Sequence, residues 1–191
     1  MIPITLTLLN TMTITGLLRN KSDLPPAAAP TSVRTVSVPA GCGTGEVYRD
    51  GCLLHAALAG DGNVEFAAVV DAIRREVHTC GGKFIRTEQL YAAWCDTPRG
   101  RADIVATGPK GRTGLIEVKV VKELPDHPRD RDAVQLGGYV QLQFHWTSQL
   151  RQGWAMLVYV DLAAGRMRVY GYDGRELRQL VRNAGLCCLA A

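Results

Sequence analysis

A short stretch of the chain holds residue types suited to metal-assisted chemistry on a phosphate. The segment RADIVATGPKGRTGLIEVKVV carries Asp103 on one strand-like stretch and Glu117-Val118-Lys119 on the next. Residues i and i+2 of a strand share a face. Glu117 and Lys119 therefore face together, while Ile116, Val118 and Val120 face the other way, into a core. Gly108-Pro109-Lys110-Gly111 is a turn that makes the two stretches a hairpin. Its register brings Asp103 beside Glu117, so two carboxylates and an ammonium converge. Hard divalent cations take carboxylate, carbonyl and water oxygens, and the carbonyl of Val118 is a natural extra ligand. Such a cation polarises a phosphoryl oxygen and lowers the pKa of a bound water. A nearby lysine orients that water and neutralises charge growing on the phosphate. On these residues alone, the competing reading is a Glu–Lys pair on the solvated face of a sheet.

Two further features lie at fixed spacing around that hairpin. Gly51 precedes His55 by four residues at the start of an early helix. Gln135 and Tyr139 are spaced i,i+4 on the helix that follows the E-x-K strand, so they share a face. Gly137-Gly138 lies between them, and each glycine costs a helix roughly 1 kcal/mol relative to alanine. That cost points to a close backbone approach, by the sheet or by a phosphate chain. Otherwise this is a weak helix with an amphipathic polar face.

The elements that must position these residues follow from periodicity. Residues 52–59 are short, apolar and helical in pattern. After the turn Asp61-Gly62-Asn63, the residues Phe66, Val69, Val70, Ile73 and Val77 recur at helical spacing and predict an amphipathic helix over about 64–78. Strands follow at 84–94, 101–107 and 115–121, a helix at about 130–145, strands at 154–161 and 167–172, and a last helix at about 175–183, with Gly185 as its cap. The order α-β-β-β-α-β-β-α predicts a mixed sheet with helices on its faces.

Composition sets the frame. At 191 residues the chain is long enough for one domain with a real core. Apolar residues make up 47% and charged residues 21%, which excludes collagen-like, mucin-like and wholly disordered classes. No charge-free apolar run is long enough for a membrane helix. The net charge of +4 permits nucleic-acid binding without demanding it. The six cysteines form no C-x-x-C pair and read as reduced thiols of an intracellular protein. Residues 1–45, apolar and threonine-rich and then rich in Pro, Ala and Ser, read as a poorly ordered segment and linker ahead of a domain at 46–191. Their acid-free start faintly mimics a mitochondrial transit peptide.

Taken in chain order, Gly51–His55 (G-x-x-x-H), Gly100–Asp103 (G-x-x-D), Glu117–Lys119 (E-x-K) and Gln135–Tyr139 (Q-x-x-x-Y) resemble the motif set of the RecB-type branch of the PD-(D/E)XK nuclease superfamily. The likeness spans roughly residues 48–172. It implies an α/β, restriction-endonuclease-like core, a mixed central sheet flanked by helices in the order α-β-β-β-α-β. It implies Mg²⁺ or Mn²⁺ held by His55, Asp103, Glu117 and the carbonyl of Val118, with Asp103, Glu117 and Lys119 catalytic. Gln135, Tyr139 and Arg101 would contact nucleic acid or support the site. The activity implied is a DNA nuclease, by analogy an exonuclease, acting on single strands or duplex ends in repair, recombination or replication. No Walker-type motif is present, so any motor would be a separate helicase or recombination protein. The alternative is the same fold with an inactive site, a nucleic-acid-binding or docking module.

Departures and additions are specific. Ala59 stands where such proteins often carry an acid one turn after the histidine. Glu65 and Glu76, eleven residues apart, share a helix face and offer a replacement, although solvated surface is the better reading of both. Glu88 on the first strand is a further candidate for a supporting acid, at a place where some such proteins carry one. Arg99, Arg101, Lys110, Arg112, Lys122, Arg129 and Arg131 cluster in sequence around the hairpin and suit a phosphate backbone. Tyr91, Trp94 and Trp146 suit either stacking on bases or core packing. Arg175, Arg178 and Arg182 read as a solvated helix face.

Overall fold

A computed structural model describes residues 24–61, 63–79, 82–91, 100–108, 111–144, 151 and 153–184, with the backbone alone described at 84–91 and 100. Among the described residues, six strands form one sheet in the order β1-β6-β5-β4-β3-β2. The strands are β1 (Ser32–Ser37), β2 (Lys83–Tyr91), β3 (Gly100–Thr107), β4 (Thr113–Val120), β5 (Gly153–Asp161) and β6 (Arg166–Tyr172). Neighbours pair antiparallel except β4 and β5, which run parallel. A parallel pair needs a crossover, and here it contains α3 (Asp130–Gln143). The remaining helices are α1 (Val47–Ala59), α2 (Ala67–Thr79) and α4 (Gly174–Ala184).

Each face of the sheet has its own apolar layer. Ile104, Ile116, Val118, Met156 and Val158 pack with Leu54, Leu58, Phe66, Val69 and Ile73 of the α1–α2 segment. Val105, Leu115, Leu157, Tyr159 and Tyr170 pack with Leu136 and Val140 of α3 and with Leu177 and Leu180 of α4. Burying one such side chain is worth about 1.5–3 kcal/mol before entropy is counted. The alternation read from the sequence for β4 holds: Ile116 and Val118 enter the first layer, with Val120 packed against it. The mixed α/β architecture and the hairpin between β3 and β4 also match expectation.

Local signals explain the boundaries. Gly60 at the end of α1 has φ 94°, and the bonds Gly60 N–H to Ala57 O and Asp61 N–H to Ala56 O close the helix. The side chain of Asn63 accepts from Glu65 N–H, which starts a 3-10 turn over Val64–Phe66 before α2 proper. In α4, Leu177, Leu180, Val181 and Ala184 are buried, while Arg175, Arg178 and Arg182 lie exposed, as the solvated-face reading expects. The cap expected at Gly185 lies outside the described residues.

Residues 24–45 do not behave as a linker. Ser32–Ser37 pairs along β6 as an edge strand. Ala27 N–H donates to Asp130 Oδ1 at 2.6 Å, and Asn183 Nδ2 donates to Pro26 O at 2.8 Å. Ala28 and Val38 are buried in the two apolar layers. Arg34 of β1 pairs with Glu76 of α2 at 2.9 Å. The alternating but mostly polar SVRTVS carries a weak strand signal, because an edge strand of this kind buries little. Among the described residues, no helix is long and apolar enough to cross a membrane.

Candidate functional site

The site forms where β3 and β4 part. Their pairing runs from Thr107↔Thr113 to Ile104↔Ile116. Past that point the Asp103 carboxylate takes over, and its Oδ2 accepts from Val118 N–H at 2.7 Å. A side chain thus satisfies a backbone donor in a buried place, where an unmet donor is costly. Asp103 Oδ1 faces His55 Nδ1 at 3.4 Å. The other ring nitrogen, Nε2, lies 3.1 Å from Val118 O. α1 therefore places His55 against the same residue that Asp103 fixes.

The second half of the site continues along β4 to α3. Lys119 Nζ donates to Glu117 Oε1 at 2.6 Å and to Gln135 Oε1 at 3.1 Å. Gln135 Nε2 donates to Tyr139 Oη at 2.7 Å. The i,i+4 spacing thus places Gln135 on the ammonium and Tyr139 behind Gln135. Tyr139 is 3% exposed, so it supports the site from within rather than touching a nucleic acid.

Charge is concentrated here at high cost. Glu117 is 1% exposed, and its Oε2 has no hydrogen-bond partner among the described residues. Burial, with the Asp103 carboxylate adding to it, pushes the Glu117 carboxyl up to about 8, against the pull of Lys119. Burial works against the charge of Lys119 as well, but the carboxylates of Glu117 and Asp103 outweigh it and hold the ammonium above the usual lysine range. Lys119 is therefore a fixed cation with two of its three donors assigned.

A divalent cation suits this set on two counts. It would satisfy the orphaned Glu117 Oε2 and relieve the repulsion between two buried carboxylates. Its ligands would be hard oxygens from Asp103, Glu117 and Val118, with the imidazole of His55 beside them. Among the described residues, however, no three His, Cys, Asp or Glu side chains stand close enough to chelate one ion. The Lys119 ammonium, not a third ligand, lies against Glu117.

Other expectations resolve individually. Arg101 lies exposed on β3, two residues before Asp103. Glu65 accepts from Gly43 N–H at 2.6 Å and Glu76 pairs with Arg34, so both are structural ties and neither replaces the acid absent at Ala59. Arg112 donates to Gly153 O at 2.7 Å, bracing β4 against β5. Lys122, Arg129 and Arg131 are exposed. The side chains of Glu88 and Tyr91, and all of Trp94, Arg99, Lys110 and Trp146, lie outside the described residues.

Sequence reading missed Asp132 and Tyr159. Tyr159 pairs in register with Lys119. Its hydroxyl donates to Asp132 Oδ2 at 2.8 Å and accepts from Arg129 N–H at 3.0 Å. Burial, together with Asp132, raises the Tyr159 hydroxyl well above its ordinary value. This pair anchors the first turn of α3, and Asp132 adds to the negative field that holds Lys119 charged. The available signal was the spacing, since Asp132 lies three residues before Gln135 on the same helix.

One of the two glycines of α3, Gly137, also finds an explanation. A Cβ at Gly137 would sit 2.5 Å from Leu180 O and 3.2 Å from the Ala184 Cβ. At Gly137 the close approach comes from the backbone of α4.

No family model matches the chain, and no characterised protein matches it in sequence. Among solved structures the chain is similar to SSO0001, at 18% identity and a TM-score of 0.37 over 74% of this chain and 59% of that one. It is also similar to Pyrococcus furiosus SfsA in complex with Ca²⁺, at 14% identity and a TM-score of 0.24 over 62% of this chain and 64% of that one. The matched regions span less than two thirds of either protein. Likenesses this distant carry no part of the reading, which rests on the residues themselves.

Proposed function

We propose that the protein is a metal-dependent nuclease with a restriction-endonuclease-like core, hydrolysing phosphodiester bonds of DNA. The observation that carries this reading is the convergence of Asp103, Glu117 and Lys119 at one end of β4, with Gln135 and Tyr139 behind the lysine and His55 beside the aspartate. In this reading His55, Asp103, Glu117 and the carbonyl of Val118 would hold Mg²⁺ or Mn²⁺ once these groups draw together, since as they stand no three of the described side chains chelate one ion. The bound cation supplies Lewis-acid polarisation of the phosphate and a more acidic water.

The chain's own residues do the rest. Asp103 holds the Val118 amide, and His55 Nε2 lies against the Val118 carbonyl, so both backbone groups of that residue are fixed. Gln135 holds Lys119 at one donor, and Tyr139 holds Gln135. The remaining N–H of Lys119 is then available to orient a water or to meet charge growing on a phosphate oxygen. The site lies toward the carboxyl end of a parallel strand, beside the crossover, where α/β sheets commonly bind ligands.

The test is incubation of end-labelled linear and closed circular DNA, single- and double-stranded, with Mg²⁺, Mn²⁺ or EDTA. Cation-dependent loss of linear DNA supports the reading, and sparing of circles makes the enzyme an exonuclease. The second reading, an inactive docking module, draws on the near-complete burial of Glu117. DNA binding without cleavage by the folded protein would favour it.

A further inference from the structure

Tyr48 stands out on the surface of α1. It is 81% exposed, one of three large apolar side chains so exposed among the described residues. Its hydroxyl has no hydrogen-bond partner among them, so neither packing nor hydrogen bonding accounts for an aromatic ring there. Its place on the helix is informative. Residues 48, 52 and 55 recur at i, i+4 and i+7, so Tyr48, Cys52 and His55 lie along one face. The opposite face, with Asp50, Leu54, Ala57 and Leu58, is buried. The exposed face thus leads from Tyr48 past Cys52 to the half-exposed His55 at the site. Nothing lies within 4 Å of where a Gly51 side chain would start, so the surface beside this track is open.

Seven residues of helix rise about 10 Å, about three stacked nucleotides at ~3.4 Å each. A tyrosine face is a sequence-tolerant platform for an unpaired base, whereas bases in a duplex have their faces covered.

We propose that Tyr48 is a positioning residue for an unpaired strand, stacking on a base about three nucleotides from the phosphate held at the site. The inference rests on the nuclease reading for its register, and it makes single-stranded DNA or a frayed end the substrate. The ring is uncovered, so its replacement leaves the fold intact.

The experiment measures anisotropy of a labelled single-stranded 12-mer and of a blunt duplex, with and without Ca²⁺, for the parent protein, Tyr48→Ala and Tyr48→Phe. Tyr48→Ala is expected to weaken single-strand binding about ten-fold, with duplex binding unchanged. Tyr48→Phe is expected to restore it, because stacking needs the ring and not the hydroxyl. A scan of single abasic sites should find one position where the parent loses affinity and Tyr48→Ala does not. Equal single-strand binding by the parent and Tyr48→Ala overturns the proposal, as does a loss shared equally by the duplex. A protein that cleaves nothing but binds the strand through Tyr48 would overturn the nuclease reading and keep the contact.

Discussion

Glu117 is the residue on which the electrostatics turn. In the unfolded chain its carboxyl ionises near 4.5, and in the fold it keeps its proton to about 8. Between those values folding takes up a proton, so this group's contribution to stability is full below about pH 4.5 and is lost as pH rises through about 8. Glu117→Gln should therefore melt several degrees above the parent at pH 9 in EDTA, with the gap closing below pH 5. A pH-independent gap in thermal melts would refute this. Divalent cation competes with that proton, so Mg²⁺ should raise the parent's melting temperature more at pH 8 than at pH 6. Most of the site was legible at this scale, because strand alternation and i,i+4 spacing are rules about single residues. They put Glu117 with Lys119 on β4 and Gln135 with Tyr139 on α3, and the hydrogen bonds from Lys119 and Gln135 join these pairs. The Asp132–Tyr159 pair was not legible, since it joins a helix to a strand 27 residues away and no local period encodes such a contact.

At the scale of elements, α3 is the part that must not move. It carries Gln135, and it is held from below by Tyr159 and from the side by α4. A methyl group at Gly137 would drive it away from Leu180 O. Gly137→Ala should thus destabilise by about 1–3 kcal/mol, despite the gain in helix propensity. Urea denaturation would show it, and unchanged or greater stability would mean that the two helices are not packed this closely. The start of α1 illustrates why boundaries escape sequence reading. Helix was expected from residue 52, but it begins at Val47. Its first turn, Val47-Tyr48-Arg49-Asp50, lacks apolar periodicity. Asp50 instead turns inward, where its carboxylate accepts from Thr44 N–H at 2.6 Å and Gly45 N–H at 3.0 Å. A glycine-rich loop stabilised by one buried carboxylate has no hydrophobic pattern to read.

At the scale of the molecule, the sheet separates two apolar layers, and the site lies where their elements meet. α1 from one layer brings His55, α3 from the other brings Gln135, and the parting of β3 and β4 lets Asp103 serve both. This convergence is a property of topology, and hydrophobic period alone could not supply it. The edge position of β1 was hidden for a similar reason, because its pairing with β6 joins residues more than 120 apart. The exposed cations Arg101, Lys122, Arg129 and Arg131 follow or flank the site in sequence. If they meet phosphates, log affinity for single strands should fall linearly with log salt, by roughly 0.7 per contact. Arg131→Ala should flatten that slope by about one contact, and an unchanged slope would exclude it from the path.

Whether Lys119 serves phosphodiester hydrolysis is settled by single-turnover cleavage of single-stranded linear DNA in Mg²⁺ by the parent protein and by Lys119→Ala, with folding of both checked by circular dichroism. The parent should cleave in a reaction that EDTA abolishes, and Lys119→Ala should lose at least about 100-fold in rate without loss of DNA binding. Equal cleavage by the two proteins, or none by a folded parent that binds DNA, would contradict that role.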